Sequence, residues 1–159
     1  TWPEGFSEQD QRQDWLSHQE NHPIHFVLVD DSCLISHAAV VWKYLEHAGA
    51  TFKAYGLSGV FTQPACRERG YGSRIVEAGT AYIKAGDADI GMLWCAPSLK
   101  RFYARSGWVG MEQAKTLIGP TAAPRVYPLL LMMLFLSQQG QDSRAAFEDE
   151  AIYFGLKAW

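Results

Sequence analysis

The chain opens on a polar, mixed stretch over residues 1–24. Ser7, followed by Glu8, Gln9 and Asp10, has the chemistry of a helix start. That helix would carry Trp15 and Leu16 and end at Pro23. Two β-rich runs follow, His25–Val29 and Cys33–Trp42, around the acidic turn Asp30-Asp31-Ser32, a hairpin pattern. The second run is nearly free of polar residues, which places it centrally in a sheet. Lys43–Phe52 is ambiguous, with Gly49 as a break. Residues 55–62 read as a strand that Pro64 stops. After a glycine-rich turn, Ile75, Val76, Gly79, Tyr82 and Ile83 recur at helical spacing, and Gly86 is placed to cap that helix. Asp89–Cys95 reads as a short strand. Ser98–Ser106 reads as a short helix ended by Gly107, with Leu99, Phe102 and Tyr103 on one face. Leu129–Leu136 reads as a strand, Gln138–Asp149 as a loop with a turn of helix, and Ile152–Leu156 as a last strand.

The order strands, helix, strand, helix, strands predicts a mixed α/β (α+β) fold on one sheet, in a single domain over residues 1–159. Composition agrees, since 48% of residues are hydrophobic and 19% charged, which excludes a disordered chain. The apolar run Leu129–Leu136 is far shorter than the roughly 20 residues of a membrane helix, so no membrane partner is expected. That run is too apolar for an open sheet edge; burial under helices or in a homodimer contact would cover it. Lys plus Arg number 14 against 17 Asp plus Glu, a formal charge of -3, which leaves no broad basic field for nucleic acid. Cys33, Cys66 and Cys95 form no CxxC pair, so neither a disulfide scaffold nor a structural zinc site is expected, and a reduced, cytoplasmic setting is. His18 and His22 have i,i+4 spacing but lie before Pro23 without an HExxH pattern, so no metal site is expected. His37, in an apolar strand, reads as a hydrogen-bonded core histidine rather than a base. The six tryptophans should line core or interface.

The sharpest local feature is Arg67-Glu68-Arg69-Gly70-Tyr71-Gly72-Ser73-Arg74, between a strand and an amphipathic helix. Two glycines permit tight curvature and close approach of a ligand. The first free N–H groups of the helix then form an anion nest, and Arg67, Arg69 and Arg74 add positive charge. The same residues also fit a plain loop with solvated arginines. Neither GxGxxG nor a Walker A pattern is present.

Arg67-x-x-Gly70-x-Gly72, with Val60-Phe61-Thr62-Gln63-Pro64 before it and Ile75-Val76 after it, resembles the acyl-CoA signature of the Gcn5-related N-acetyltransferases. A second block, Leu99-Lys100-Arg101-Phe102-Tyr103-Ala104-Arg105-Ser106-Gly107-Trp108, is similar to that family's second conserved helix. Within the family the chain looks closest to aminoglycoside 2'-N-acetyltransferases, through Trp2–Asp10, Ile35–Val41, the Arg-Phe-Tyr-Ala-Arg-Ser-Gly-Trp block and Trp159. The resemblance implies a mostly antiparallel central sheet flanked by helices. It also implies that the subfamily's first strand and helix are missing before Thr1, as in a trimmed product.

The resemblance further implies acetyl-CoA as co-substrate and a primary amine of a small molecule as acceptor. The backbone N–H groups of residues 69–74 (Arg69, Gly70, Tyr71, Gly72, Ser73, Arg74) would hold the pyrophosphate, with Arg67 at the rim. Val60, Phe61 and Thr62 would present backbone to the pantetheine arm, with the Phe61 N–H at the thioester oxygen. A bulge or splay there would free these groups. Tyr103 would be the general acid for the leaving thiolate; on pattern alone it is equally a core tyrosine. Ser98 would assist CoA binding or cap the short helix. Where the aminoglycoside subfamily has a glutamate on the strand, this chain has Ser58, and in place of its acid two residues before the terminal Trp stands Lys157. Both changes remove negative charge from a site built for a polycation.

Overall fold

The computed structural model describes residues 22–31 and 33–159, so the expected helix after Ser7 lies outside the described residues. The described part begins with the hairpin that the alternation predicts. Strand β1 (Ile24–Asp30) pairs antiparallel with β2 (Cys33–His47) around a turn in which Asp31 has φ 47°. The ambiguous stretch resolves into a second hairpin. β2 continues to His47, Ala48 and Gly49 turn with φ 49° and 76°, and β3 (Ala50–Thr62) returns along it. Two successive positive φ angles suit a two-residue hairpin turn, so Gly49 joins two long strands rather than breaking one.

Helix α1 (Tyr71–Ala85) crosses back over the sheet to β4 (Ile90–Cys95), which lies parallel to β3. Ile75, Val76, Gly79 and Ile83 are buried as their spacing predicts, but the fifth expected position differs. Tyr82 is 40% exposed and meets the edge of Phe26, while Thr80 is buried and accepts the Trp108 indole N–H at 2.9 Å. A 3-10 turn (Pro97–Leu99) leads into the short helix α2 (Lys100–Ala104). Beyond it come β5 (Val109–Met111), β6 (Thr116–Ile118), β7 (Arg125–Val126) and β8 (Leu130–Phe135). Helices α3 (Gln138–Asp142) and α4 (Arg144–Asp149) and strand β9 (Ile152–Gly155) complete the fold.

Two sheets result, not the single one expected. The larger has the order β1-β2-β3-β4-β8-β5, antiparallel except for β3–β4; the smaller is β7-β6-β9. Two- and three-residue strands such as β5, β6 and β7 are too short to show a hydrophobic period, which is why the second sheet was hidden in the sequence. The apolar run at 129–136 becomes β8, paired on both sides, so its own sheet covers it. One buried layer, with Leu57, Ile75, Ile83, Leu93, Cys95 and Tyr103, lies on the α1 side. The other, with Phe52, Ile90, Met92, Phe147 and Phe154, lies on the opposite face. Among the described residues no helix is long and apolar enough to cross a membrane.

What positions the site is the contrast between the two ends of the β3–β4 pair. At the closed end Asp89 acts as a staple. Its N–H donates to the Lys53 carbonyl at 2.9 Å, its carboxylate accepts the Lys53 N–H at 2.8 Å, and the Ser137 hydroxyl donates to it at 2.6 Å. The pairing then runs through only three partners, Ala54–Ile90, Tyr55–Gly91 and Gly56–Met92. Past Gly56 the strands part. β3 stays with β2, and β4 stays with β8.

Candidate active site

The parting has a local cause in β3. The register with β2 steps between His37 and Ala39, so Gly59 and Val60 together oppose Ala38, and Gly59 takes φ 58°. This is a β-bulge with glycine where the backbone turns left-handed. Beyond it Ser36 faces Thr62 and His37 faces Phe61, and the Gln63 N–H donates to the Ile35 carbonyl at 2.9 Å. In an antiparallel ladder, hydrogen-bonded and non-bonded pairs alternate. If Ile35–Gln63 is bonded, so is His37–Phe61, and the Phe61 N–H turns toward β2. The groups that face the gap are therefore those of Val60 and Thr62. Two contacts agree with this: the Thr62 carbonyl accepts Arg67 Nε–H at 3.3 Å, on the gap side, and the Gly59 carbonyl accepts from His37 Nδ1 at 2.8 Å, on the β2 side. The register thus turns the Phe61 N–H toward β2 and leaves Val60 and Thr62 facing the gap.

The glycine turn closes the gap from below. After the 3-10 turn Pro64–Cys66, Glu68 and Gly70 take φ 62° and 80°, and α1 starts with Gly70 as its N-cap and no side chain bonded to the cap. The Arg74 N–H already donates to the Gly70 carbonyl at 3.1 Å, which closes the first helical turn. The N–H groups without a partner inside the helix are those of Gly70, Tyr71, Gly72 and Ser73, whereas that of Arg74 is taken up by the first turn. There is no acidic residue in the first turn, and the helix dipole is uncompensated there. A Cβ on Gly72 would sit 3.2 Å from Thr62 Oγ1 and 3.5 Å from Phe102 Cζ. Glycine thus keeps the floor open between β3 and α2.

These elements enclose a cleft of 490 Å³ lined by Val60, Phe61, Thr62, Arg67, Gly70, Gly72, Ser73 and Tyr103, together with Glu68, Leu99, Phe102 and Arg105. Of the residues singled out from sequence, Arg69 and Arg74 are exposed and, like the half-buried Tyr71, contribute no lining side chain. Ser98 is exposed in the 3-10 turn, away from the lining, and Ala96 rather than Ser98 stands at that turn's N-cap. Leu99 and Phe102 were legible only as an apolar face of the short helix. Arg105, two residues beyond Tyr103, supplies the second cleft arginine, which nothing in the local pattern of the short helix marks out. Tyr103 lies in the α1-side core at 7% exposure, with its ring at the cleft wall. Burial pushes its phenol well above the usual tyrosine range, and the neighbouring Cys95 adds to the shift. Tyr103 is therefore a protonated phenol at neutral pH, with a hydroxyl able to donate. Cys95 is itself raised by burial, so no reactive thiolate stands beside it.

The family follows from the sequence matched against this architecture. Residues 1–110 match the family model described as acetyltransferase (GNAT) domain. The chain belongs to the GNAT acetyltransferase family. Solved structures agree at the level of fold. A GNAT family acetyltransferase from Brucella melitensis, in complex with acetyl-CoA, is 19% identical with TM-score 0.57; the match covers 85% of this chain and 73% of that one. A GNAT family N-acetyltransferase from Escherichia coli, in complex with CoA, is 15% identical with TM-score 0.58, covering 80% and 66%. An aminoglycoside 6'-N-acetyltransferase complexed with coenzyme A is 12% identical with TM-score 0.56, covering 86% and 84%. No curated protein matches the sequence. In this GNAT domain the end of β3 and the helix-start loop, close in sequence, share one cleft with the short helix α2.

The opposite face of the sheet holds a second arrangement that no motif announced. The Trp159 ring lies so close over Gly56 that a Cβ there would fall 2.0 Å from its Nε1. Trp159 also packs edge-on against Phe154 at 4.7 Å. Lys43 places its Nζ 3.6 Å from the centre of the Phe154 ring and donates to the Phe154 carbonyl. Burial lowers the Lys43 pKa to about 8.

Proposed function

We propose that the chain transfers an acetyl group from acetyl-CoA to a primary amine of a small molecule by direct attack on the thioester. The observation that carries this reading is the single cleft in which gap-facing amides of β3, free N–H groups of α1 and the Tyr103 phenol converge. Acetyl-CoA is the bound molecule in one fold relative and CoA in two others, which supports the same co-substrate here. The diphosphate would lie on the N–H groups of residues 70–73, with Arg67 and Arg105 balancing its charge. The pantetheine arm would run along Val60 and Thr62 as an added strand in the gap. The thioester oxygen would then take the Val60 N–H, one residue from the Phe61 contact expected from sequence.

The amine nitrogen forms a bond to the carbonyl carbon, the carbon–sulfur bond breaks, and the thiolate takes its proton from the Tyr103 hydroxyl. The attacking amine's surplus proton leaves to water, and water reprotonates the tyrosine. A thiolate is a weaker base than the phenolate of a buried tyrosine, so this proton would move only as the carbon–sulfur bond breaks, with water restoring the phenol. No carboxylate stands at Ser58, which is buried, or at Lys157, which is exposed. That charge pattern supports a neutral or singly charged amine over an aminoglycoside.

The test is an amine panel assayed for acetyl-CoA-dependent release of free thiol. Tyr103→Phe should lower turnover about 10²-fold or more, the scale of general acid catalysis, while CoA affinity stays within about twofold. Unchanged turnover in that variant would remove the acid role from Tyr103. An inert panel with CoA still tightly held would favour an acyl-CoA binder without catalysis.

A further inference from the structure

The bulge is held from outside by side chains of β2. His37 Nδ1 lies 2.8 Å from the Gly59 carbonyl oxygen, and the Ser36 hydroxyl donates to the Phe61 carbonyl at 2.6 Å. No cis peptide occurs among the described residues, so each carbonyl and the following N–H point in opposite directions from one rigid plane. The Gly59 carbonyl shares its plane with the Val60 N–H, and the Phe61 carbonyl shares its plane with the Thr62 N–H. Drawing both carbonyls toward β2 drives the Val60 and Thr62 N–H groups into the gap. A bulge needs such a hold. The regular ladder is interrupted at Gly59, and a glycine at φ 58° has several alternative conformations of similar energy.

We infer that His37 is a positioning residue for the thioester. Its Nδ1–H, donated to the Gly59 carbonyl, fixes the direction of the Val60 N–H and strengthens it as a donor by polarising the shared peptide group. This rests on the acetyl-CoA reading above. His25 completes the arrangement from β1. Its Nδ1 lies 3.0 Å from His37 Nε2, and the rings sit 5.3 Å apart. With His37 Nδ1 donating to Gly59, the neutral ring has a lone pair at Nε2, and His25 Nδ1–H fills it. The partner of each ring nitrogen thereby sets the tautomer. Ser36 does the same for Thr62 with a hydroxyl, and is also 2.9 Å from Thr62 Oγ1. The core histidine read from sequence is therefore hydrogen-bonded, and its partner is the Gly59 carbonyl at the bulge.

The decisive experiment is infrared difference spectroscopy of acetyl-CoA carrying a 13C-labelled thioester carbonyl, bound to the protein, beside titration calorimetry with CoA and with acetyl-CoA. The wild-type chain should shift the labelled carbonyl band to lower frequency. His37→Ala should remove most of that shift and weaken acetyl-CoA about three- to tenfold, with CoA affinity within twofold. His37→Asn, whose amide N–H can reach the Gly59 carbonyl from the Nδ1 position, should restore the shift; His37→Gln should not. The inference is overturned if His37→Ala leaves the band at its wild-type frequency, if Asn fails to rescue, or if CoA binding is lost in parallel, which would make His37 a fold residue only. A wild-type chain that binds neither CoA nor acetyl-CoA would instead overturn the acetyl-CoA reading itself.

Discussion

Gly72 separates the demands of binding from those of folding. It stands at the second residue of α1, where alanine is a better helix former than glycine by about 1 kcal/mol. Against that gain stands one tight contact. An added Cβ meets Thr62 Oγ1 at 3.2 Å, and that hydroxyl is tied to Ser36 at 2.9 Å, so it yields only a few tenths of an ångström. The other contact, Phe102 at 3.5 Å, is ordinary packing. The two effects on stability roughly cancel, and Gly72→Ala should leave Tm close to wild type. Binding has no such compensation. A side chain at residue 72 stands in front of the free N–H groups of the helix start and narrows the floor between β3 and α2. A hydrogen bond to a charged group is worth about 1.5–3 kcal/mol; losing two would cost about 3–6 kcal/mol, or roughly 10²–10⁴ in Kd. Gly72→Val should reach that range and Gly72→Ala should fall below it. Calorimetric titration with CoA, read beside thermal unfolding of each variant, checks both halves. Folded Gly72→Val protein that binds CoA as tightly as wild type would refute the placement of the diphosphate on this loop.

Two further outcomes concern the opposite face. Lys43 has a pKa lowered to about 8 in the fold from an ordinary 10.5. Between those values unfolded Lys43 binds a proton that native Lys43 does not, so this group adds a rise in stability with pH across that window, opposed by the buried Cys95 and Tyr103, which wild type and variant share. Lys43→Met should abolish the rise, which urea unfolding at pH 7, 9 and 10 would reveal; equal pH dependence in both proteins would sink the assignment. Gly56→Ala should force Trp159 off the sheet, lower Tm by several degrees and shift tryptophan emission to the red, because overpacking a filled site costs about 1–3 kcal/mol. An unchanged emission spectrum would mean that Trp159 does not occupy the space over Gly56 in solution.

The sequence carried the parts of this site whose signal is local. The glycine turn, the amphipathic face of α1 and the apolar face of the short helix are each written within one stretch of chain, and each forms there, with Thr80 rather than Tyr82 buried on α1. The hairpin of β2 and β3 was half visible. The stretch on either side of Gly49 is ambiguous in pattern, and a two-residue turn with Ala48 at φ 49° lacks the usual Asn-Gly or Asp-Gly mark. What could not be read was anything that depends on register. Whether the amide of Phe61 or those of Val60 and Thr62 face the gap is a matter of one residue of stagger, and a single extra residue at Gly59 decides it. The pairing of His37 with Gly59 spans 22 positions, and that of Lys43 with Phe154 spans 111. No periodicity within either segment encodes such a contact.

The same distinction explains how a sheet can be both rigid and open. At one end of the β3–β4 pair the Asp89 carboxylate takes a backbone N–H from one side and a hydroxyl from the other, so the two strands cannot slide. At the other end β3 is pulled away from β4 by its own bulge, and each strand keeps its remaining backbone bonds with the neighbour on its far side. The cost of the gap is therefore confined to the few groups that face it. Unpaired backbone groups in a half-buried groove favour any extended chain that can pair with them. A linear arm with alternating amide donors and acceptors meets that demand, and an anion at the foot of the arm meets the helix start. Asp89 fixes the closed end of the pair and Gly59 the direction in which β3 leaves it, so on the proposed reading shape comes before charge in recognition. The phenol of Tyr103, kept protonated by the core around it, lines the same cleft.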